Sequence, residues 1–166
     1  MKRRQIAAGL AFPFVACAAV AVYSSPATSP GMPKISLLRT PHDGIQPQTV
    51  LDRDDVLHMI YFKGDTSGGD IEYVSRKPNA KDFSEPIRVN SEAGSAVAIG
   101  TVRGPQIAVG RNGRVYVNWF GSQASSGDPS NSMPVFFSRL NDSHTGFEPQ
   151  HNLMQYAKGG DGGSSG

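Results

Sequence analysis

Between Pro105 and Ser122 apolar and polar positions alternate with a period of two, interrupted once by a turn. Ile107 to Val109 predicts a strand, and Arg111-Asn112-Gly113 a turn in which Asn and Gly suit positive φ. Val115, Val117 and Trp119 then alternate with Tyr116, Asn118 and Phe120 in a second strand, of the β-branched and aromatic composition that strands favour. Pro47 to Gly64 carries the same pattern. Pro47 corresponds to Pro105, Gln48 to Gln106, Arg53 to Arg111, Asp54 to Asn112, Leu57 to Val115, Tyr61 to Trp119 and Phe62 to Phe120. The offset stays at 105 − 47 = 58 without a gap, which marks an internal repeat.

The repeat continues beyond the hairpins. Ile71–Arg76 and Phe83–Asn90 follow the first; Pro134–Arg139 and Phe147–Leu153 follow the second. Ser75-Arg76 aligns with Ser138-Arg139 and Pro86 with Pro149, both at an offset of 63. Each unit therefore predicts four short strands joined by polar turns, the make-up of a β-propeller blade. The expected fold class is all-β, two four-stranded antiparallel sheets of a β-propeller that this chain does not complete. Lys34–Arg39 predicts one further strand, placed to complete a last blade. Ala96–Ile99 predicts either a short strand or a buried crossing between the units. Two blades do not close a ring, since repeats bury their faces only against neighbours. The chain is thus expected to be the N-terminal part of a longer protein, or to self-associate through its open blade edges.

Charge and composition set the context. Lys2-Arg3-Arg4, the Ala-rich apolar run Ile6–Val22 and the small residues at Ser25-Pro26-Ala27 predict a signal peptide over 1–27 and an exported protein, periplasmic, cell-surface or extracellular. The run is short and holds Pro13, which argues against a lasting membrane span. Cys17, the only cysteine, lies in a sequence that fits a lipid-attachment site poorly, so it is expected to leave with the signal. A linker over 28–33, the partial propeller domain over 34–158 and a Gly/Ser-rich tail over 159–166 follow. The net charge of +2 falls to 2 − 3 = −1 without Lys2, Arg3 and Arg4, and no basic patch supports nucleic-acid binding. His42, His58, His144 and His151 share no metal spacing, and no cofactor is implied.

The turn between the third and fourth strands of each unit resembles the Asp-box of the sialidase (neuraminidase) superfamily. Ser138 to Phe147 and Ser75 to Phe83 keep its Ser, an Asn or Asp, and the closing Phe, but not its central Gly or its strict spacing. Physically such a box is a folding device, in which side-chain oxygens cap turn amides and the aromatic tucks under the sheet.

The resemblance implies a six-bladed propeller and exo-α-sialidase chemistry for the complete protein: three arginines on the substrate carboxylate, a Tyr nucleophile activated by Glu, and an Asp acid/base. Arg39, in Arg39-Thr40-Pro41, stands where the family's first carboxylate-binding arginine lies. Arg103 precedes the second inner strand on the same expected face. Asp70, or else Asp65, in the loop Lys63–Asp70 matches the acid/base position. The other arginines, the Tyr and its Glu would come from later blades, so the chain alone is expected to be inactive. Bland roles compete: Arg39 as a strand-end cation, Arg103 as a linker brace, and Asp65 and Asp70 as turn formers. The alternative class is a non-catalytic secreted propeller that binds glycan or protein. Fold analogy alone does not choose between the two.

Overall fold

A computed structural model of the chain describes residues 35–99, 104–122, 125 and 133–156. Both sheets lie in one compact unit that begins at Leu37. The first sheet runs β1 (Ile45–Leu51), β2 (Leu57–Asp65), β3 (Gly68–Arg76), β4 (Ile87–Arg88), in that spatial order and antiparallel throughout. The second repeats it with β5 (Gln106–Val109), β6 (Val115–Phe120), β7 (Val135–Arg139) and β8 (His151–Asn152). The only helical pieces described as elements are short 3-10 turns, at Pro41–Asp43 and Leu153–Tyr156.

The repeat is preserved to the residue in the first two strands. Gln48 pairs with Ile60 as Gln106 pairs with Asn118, and Leu51 with Leu57 as Val109 with Val115. The turns match as well: Asp52 N–H donates to Val56 O at 3.1 Å, and Gly110 N–H to Arg114 O at 2.8 Å. Asp55 and Gly113 both take positive φ, 58° and 71°.

The third strand corrects the expected alignment. Met59 pairs with Val74 while Val117 pairs with Ser138, so the structural offset is 138 − 74 = 64, not 63. Ser84 N–H to Ser75 O and Glu148 N–H to Arg139 O repeat the same 64. One residue of slip moves Ser138 onto the face that Val74 occupies, since side chains alternate along a strand. Buried there, the Ser138 hydroxyl donates to Glu148 O at 2.6 Å.

Two other expectations change. Residues 35–40 form no strand, and Leu37 and Leu38 are exposed. This run pairs with no strand among the described residues; the chain turns through Pro41–Asp43 and lays Gly44 over the ring of Tyr61. The predicted loop Lys63–Asp70 is a tight hairpin: Asp65 pairs with Gly68, leaving only Thr66 and Ser67 outside the ladder. Asp70 therefore lies within β3, opposite Lys63.

One face of each sheet meets the other. Ile60, Phe62, Ile71 and Tyr73 pack with Val115, Val117, Trp119, Phe136 and Leu140, and β1 lies alongside β5. Burying Phe62 alone contributes on the order of 2–3 kcal/mol. Met59, Tyr61 and Val74 point to the opposite face of the first sheet, where Phe83 covers them.

The Ala96–Ala98 stretch proves to be the buried crossing, and it joins the sheets through backbone. Ala96 exchanges both hydrogen bonds with Gly69 at 2.9 and 3.0 Å. On its other side Ser122 N–H donates to Ser95 O at 2.9 Å and Val97 N–H to Phe120 O at 3.1 Å. Gly69 and Gly121 flank this crossing because the rings of Phe62 and Phe136 occupy the space where their Cβ atoms would stand.

Candidate functional site

Two ends of the sheets carry chemistry. The first holds the β2–β3 hairpin and the crossing from β4 to β5. Here Asp70 Oδ1 accepts from Asn90 Nδ2 at 2.7 Å and from Gly94 N–H at 2.9 Å. Asn90, 1% exposed, accepts from Ile71 N–H and also donates to Glu92 O and Ser95 Oγ. Ser95 continues to Gln150 Oε1 at 3.2 Å, so the network runs from the first sheet to the second. Asp65 accepts from the amide and hydroxyl of Ser67 at 2.8 and 2.6 Å, a local turn closure. The Ser67 hydroxyl and amide hold the Asp65 carboxyl below its ordinary range, the wrong direction for a proton donor at neutral pH.

Arg39 is exposed and lies elsewhere. It lines a hollow of about 320 Å³ with His42 and the segment Lys81–Pro86. That segment hydrogen-bonds to Ser75 through Ser84. Ser75 is five residues from Asp70 along β3, about 16 Å at 3.3 Å per residue. The structure does not bring Arg39 and Asp70 together. Arg103 lies outside the described residues, as does the predicted signal peptide.

A Tyr–Glu pair is present within the sheet. Tyr61 faces Glu72 across the β2–β3 ladder. Burial, with the Glu72 charge adding to it, pushes the Tyr61 phenol up to about 12. Burial also raises Glu72, and Asp70 adds to this while Lys63 and Arg88 oppose it. A phenol shifted upward and wholly buried is a poor nucleophile.

The second end holds the β1–β2 and β5–β6 turns and contains an array that sequence reasoning missed. Tyr73 Oη lies 2.7 Å from His58 Nδ1, and His58 Nε2 lies 3.1 Å from Asp52 Oδ2. Asp52 also accepts from the amides of Asp54 and Val56 through Oδ1. Burial works against ionising Asp52, but His58 and these amides outweigh it and hold the carboxyl below its usual value. An ionised Asp52 needs a donor, so Nε2 carries the proton in the neutral ring and Nδ1 accepts from Tyr73. His58 and Tyr73 are buried, and burial raises the Tyr73 phenol. The ring edge of Phe147, from the second sheet, rests on Tyr73 at 5.5 Å between centroids. The array opens on a cleft of about 560 Å³ between the sheets.

The Leu140–Phe147 turn of the second unit, with His144 on the cleft, closes the far wall of this end. Asn141 Oδ1 accepts from Thr145 N–H and Ser143 Oγ at 3.0 Å each, and Leu140 bridges to Phe147. These are the caps on turn groups that Asn, Ser and Thr side chains commonly make. No cluster of three metal-binding side chains occurs among the described residues. Comparisons with protein-family models, with curated proteins and with solved structures give no match for this chain.

Proposed function

We propose that this chain is an exported, non-catalytic module of propeller-type blades that binds glycan or protein. The observation that carries this reading is the state of Asp70. Its Oδ1 is committed to Asn90 and Gly94 at the seam between the sheets, which is a structural assignment for the residue best placed to be an acid/base. Asp65 is committed to Ser67, and Arg39 stands in a different hollow. Catalytic constellations lose most of their effect when their members are not held together. The blade architecture is supported by two meanders in the same strand order, with β1 beside β5 and each sheet burying one face on its neighbour.

The test is hydrolysis of a fluorogenic sialoside by the purified protein. The expected result is no turnover above buffer. Turnover abolished by Asp70→Asn would sink the non-catalytic reading in favour of sialidase-type hydrolysis.

A further inference from the structure

The second sheet is an internal control for the Asp52–His58–Tyr73 array. It closes the same turn with Gly110 where the first sheet has Asp52. It stacks Tyr116 on Phe137, 6.1 Å apart at 23°, where the first sheet stacks His58 on Tyr73, 5.9 Å apart at 23°. The fold therefore builds this turn and this ring pair without any polar chain. Three polar substitutions, at equivalent places and all reaching one cleft, are more than the repeat requires.

We propose that the cleft between the sheets beside Tyr73 is a binding site for a non-anionic saccharide, neutral or amine-bearing. This rests on the binding-module reading and gives it a site and a ligand class. Tyr73 directs its proton to His58 and Ser75 hydrogen-bonds to Tyr73, so the two hydroxyls line the cleft with their protons already committed. Among the described residues, Asp54 and Glu85 line the rim as carboxylates without an ion pair, and Lys77 is the one ammonium in the lining. Acceptors in excess select a ligand rich in O–H or N–H donors, and the surplus negative charge disfavours a carboxylated sugar. Val56, Pro86, Ile87 and Leu140 supply apolar surface for the C–H face of a pyranose ring. A volume of about 560 Å³ lies in the range of small-ligand sites.

The full chain is probed on immobilised lactose, chitobiose, chitosan dimer and 3′-sialyllactose, with amide chemical shifts followed for any sugar retained. Retention on neutral or amine-bearing sugars is expected, with shifts at Val56, Ile87 and Asn112. Asp54→Asn with Glu85→Gln, both at exposed positions, should weaken it roughly tenfold or more, the scale of one lost charged hydrogen bond. Tyr73→Phe should do the same while keeping the ring stack, because Phe137 fills that place in the second sheet. No retention on any non-anionic sugar, retention indifferent to these variants, or preference for sialyllactose overturns the proposal. Retention with shifts confined to the Gly64–Asp70 end overturns this site but leaves the binding-module reading standing. Sialoside turnover would instead remove that reading itself.

Discussion

His58 and Tyr116 occupy the same position of the two sheets, 116 − 58 = 58 residues apart, and both lie stacked on the ring of the next strand. One is hydrogen-bonded at both ring nitrogens; the other is an aromatic with no such chain. The same backbone thus supports a polar and an apolar version of one structural unit, and comparing them separates what folding needs from what it does not.

That comparison predicts an asymmetry in stability. Asp52→Ala removes the acceptor for two turn amides and strands His58, and should cost about 1–3 kcal/mol. The triple change Asp52→Gly, His58→Tyr, Tyr73→Phe installs the second sheet's residues and should cost less than the single change. Urea unfolding of both variants checks this. A triple variant less stable than Asp52→Ala would mean that the polar chain is a folding requirement.

Asn90 should be the most sensitive polar residue of the seam. Its side chain makes four hydrogen bonds at 1% exposure, joining Ile71, Asp70, Glu92 and Ser95. Asn90→Ala should cost about 2–4 kcal/mol, since several buried partners lose their mates at once. Asp70→Asn keeps an acceptor oxygen and should cost less. The same unfolding measurement applies, and equal losses for the two would contradict the network.

Asp52 and Glu72, shifted in opposite directions, should give opposite pH signatures. Asp52 is held below its ordinary value in the folded state, so its contribution is complete above about pH 4 and fades as pH falls through the lowered value. The stability difference between wild type and Asp52→Asn should therefore shrink in acid. Glu72 is shifted upward by burial, so its ionised form is penalised in the folded state. Its contribution is favourable below the ordinary carboxyl value and is lost as pH rises through the raised one. Glu72→Gln should accordingly stabilise the protein at pH 7 and change little at pH 3. Unfolding midpoints across this range read both effects; a destabilising Glu72→Gln at pH 7 would contradict the burial argument.

Gly121→Ala should be poorly tolerated despite adding one methyl group. The added Cβ meets the ring of Phe136 and the ring of Pro134, both in the packed layer. Overpacking of this kind costs about 1–3 kcal/mol. Gly113→Ala meets nothing nearby, but its φ of 71° imposes a smaller backbone penalty. Thermal unfolding should rank Gly121→Ala as the more damaging.

Much of the fold was legible in the chain because its signals are local. The gapless 58-residue match, the turn residues at Asp54-Asp55 and Asn112-Gly113, and the alternation at Val115–Phe120 each report on neighbouring positions. The offset of 64 in the third strand was not, because Ser75 and Ser138 are both followed by Arg, while register follows the burial of Val74 and Ser138. The run Ile35–Leu38 looked like a strand, but a strand needs a partner edge, which composition does not disclose. The sequence around Asp70 has the composition of a loop, and its partners Asn90 and Gly94 are 20 and 24 residues away. The Asp52–His58–Tyr73 array depends on strand pairing across 15 residues. A signal for it was nonetheless present: aligning the repeats sets Asp52 against Gly110 and His58 against Tyr116, polar against small or aromatic.

The backbone of Ala96 has a consequence for how such a protein is inherited. Because 95–97 hydrogen-bonds to both Gly69 and the Phe120–Ser122 stretch, the joint belongs to neither copy of the duplicated unit. A recombination event that exchanged one copy for another would have to carry this tripeptide and find glycines waiting on each side of it. Gene shuffling that respects only the boundaries of the meanders would leave two sheets that fold toward each other with the stitch missing. The heritable module here is a pair of sheets with its seam, not a single sheet.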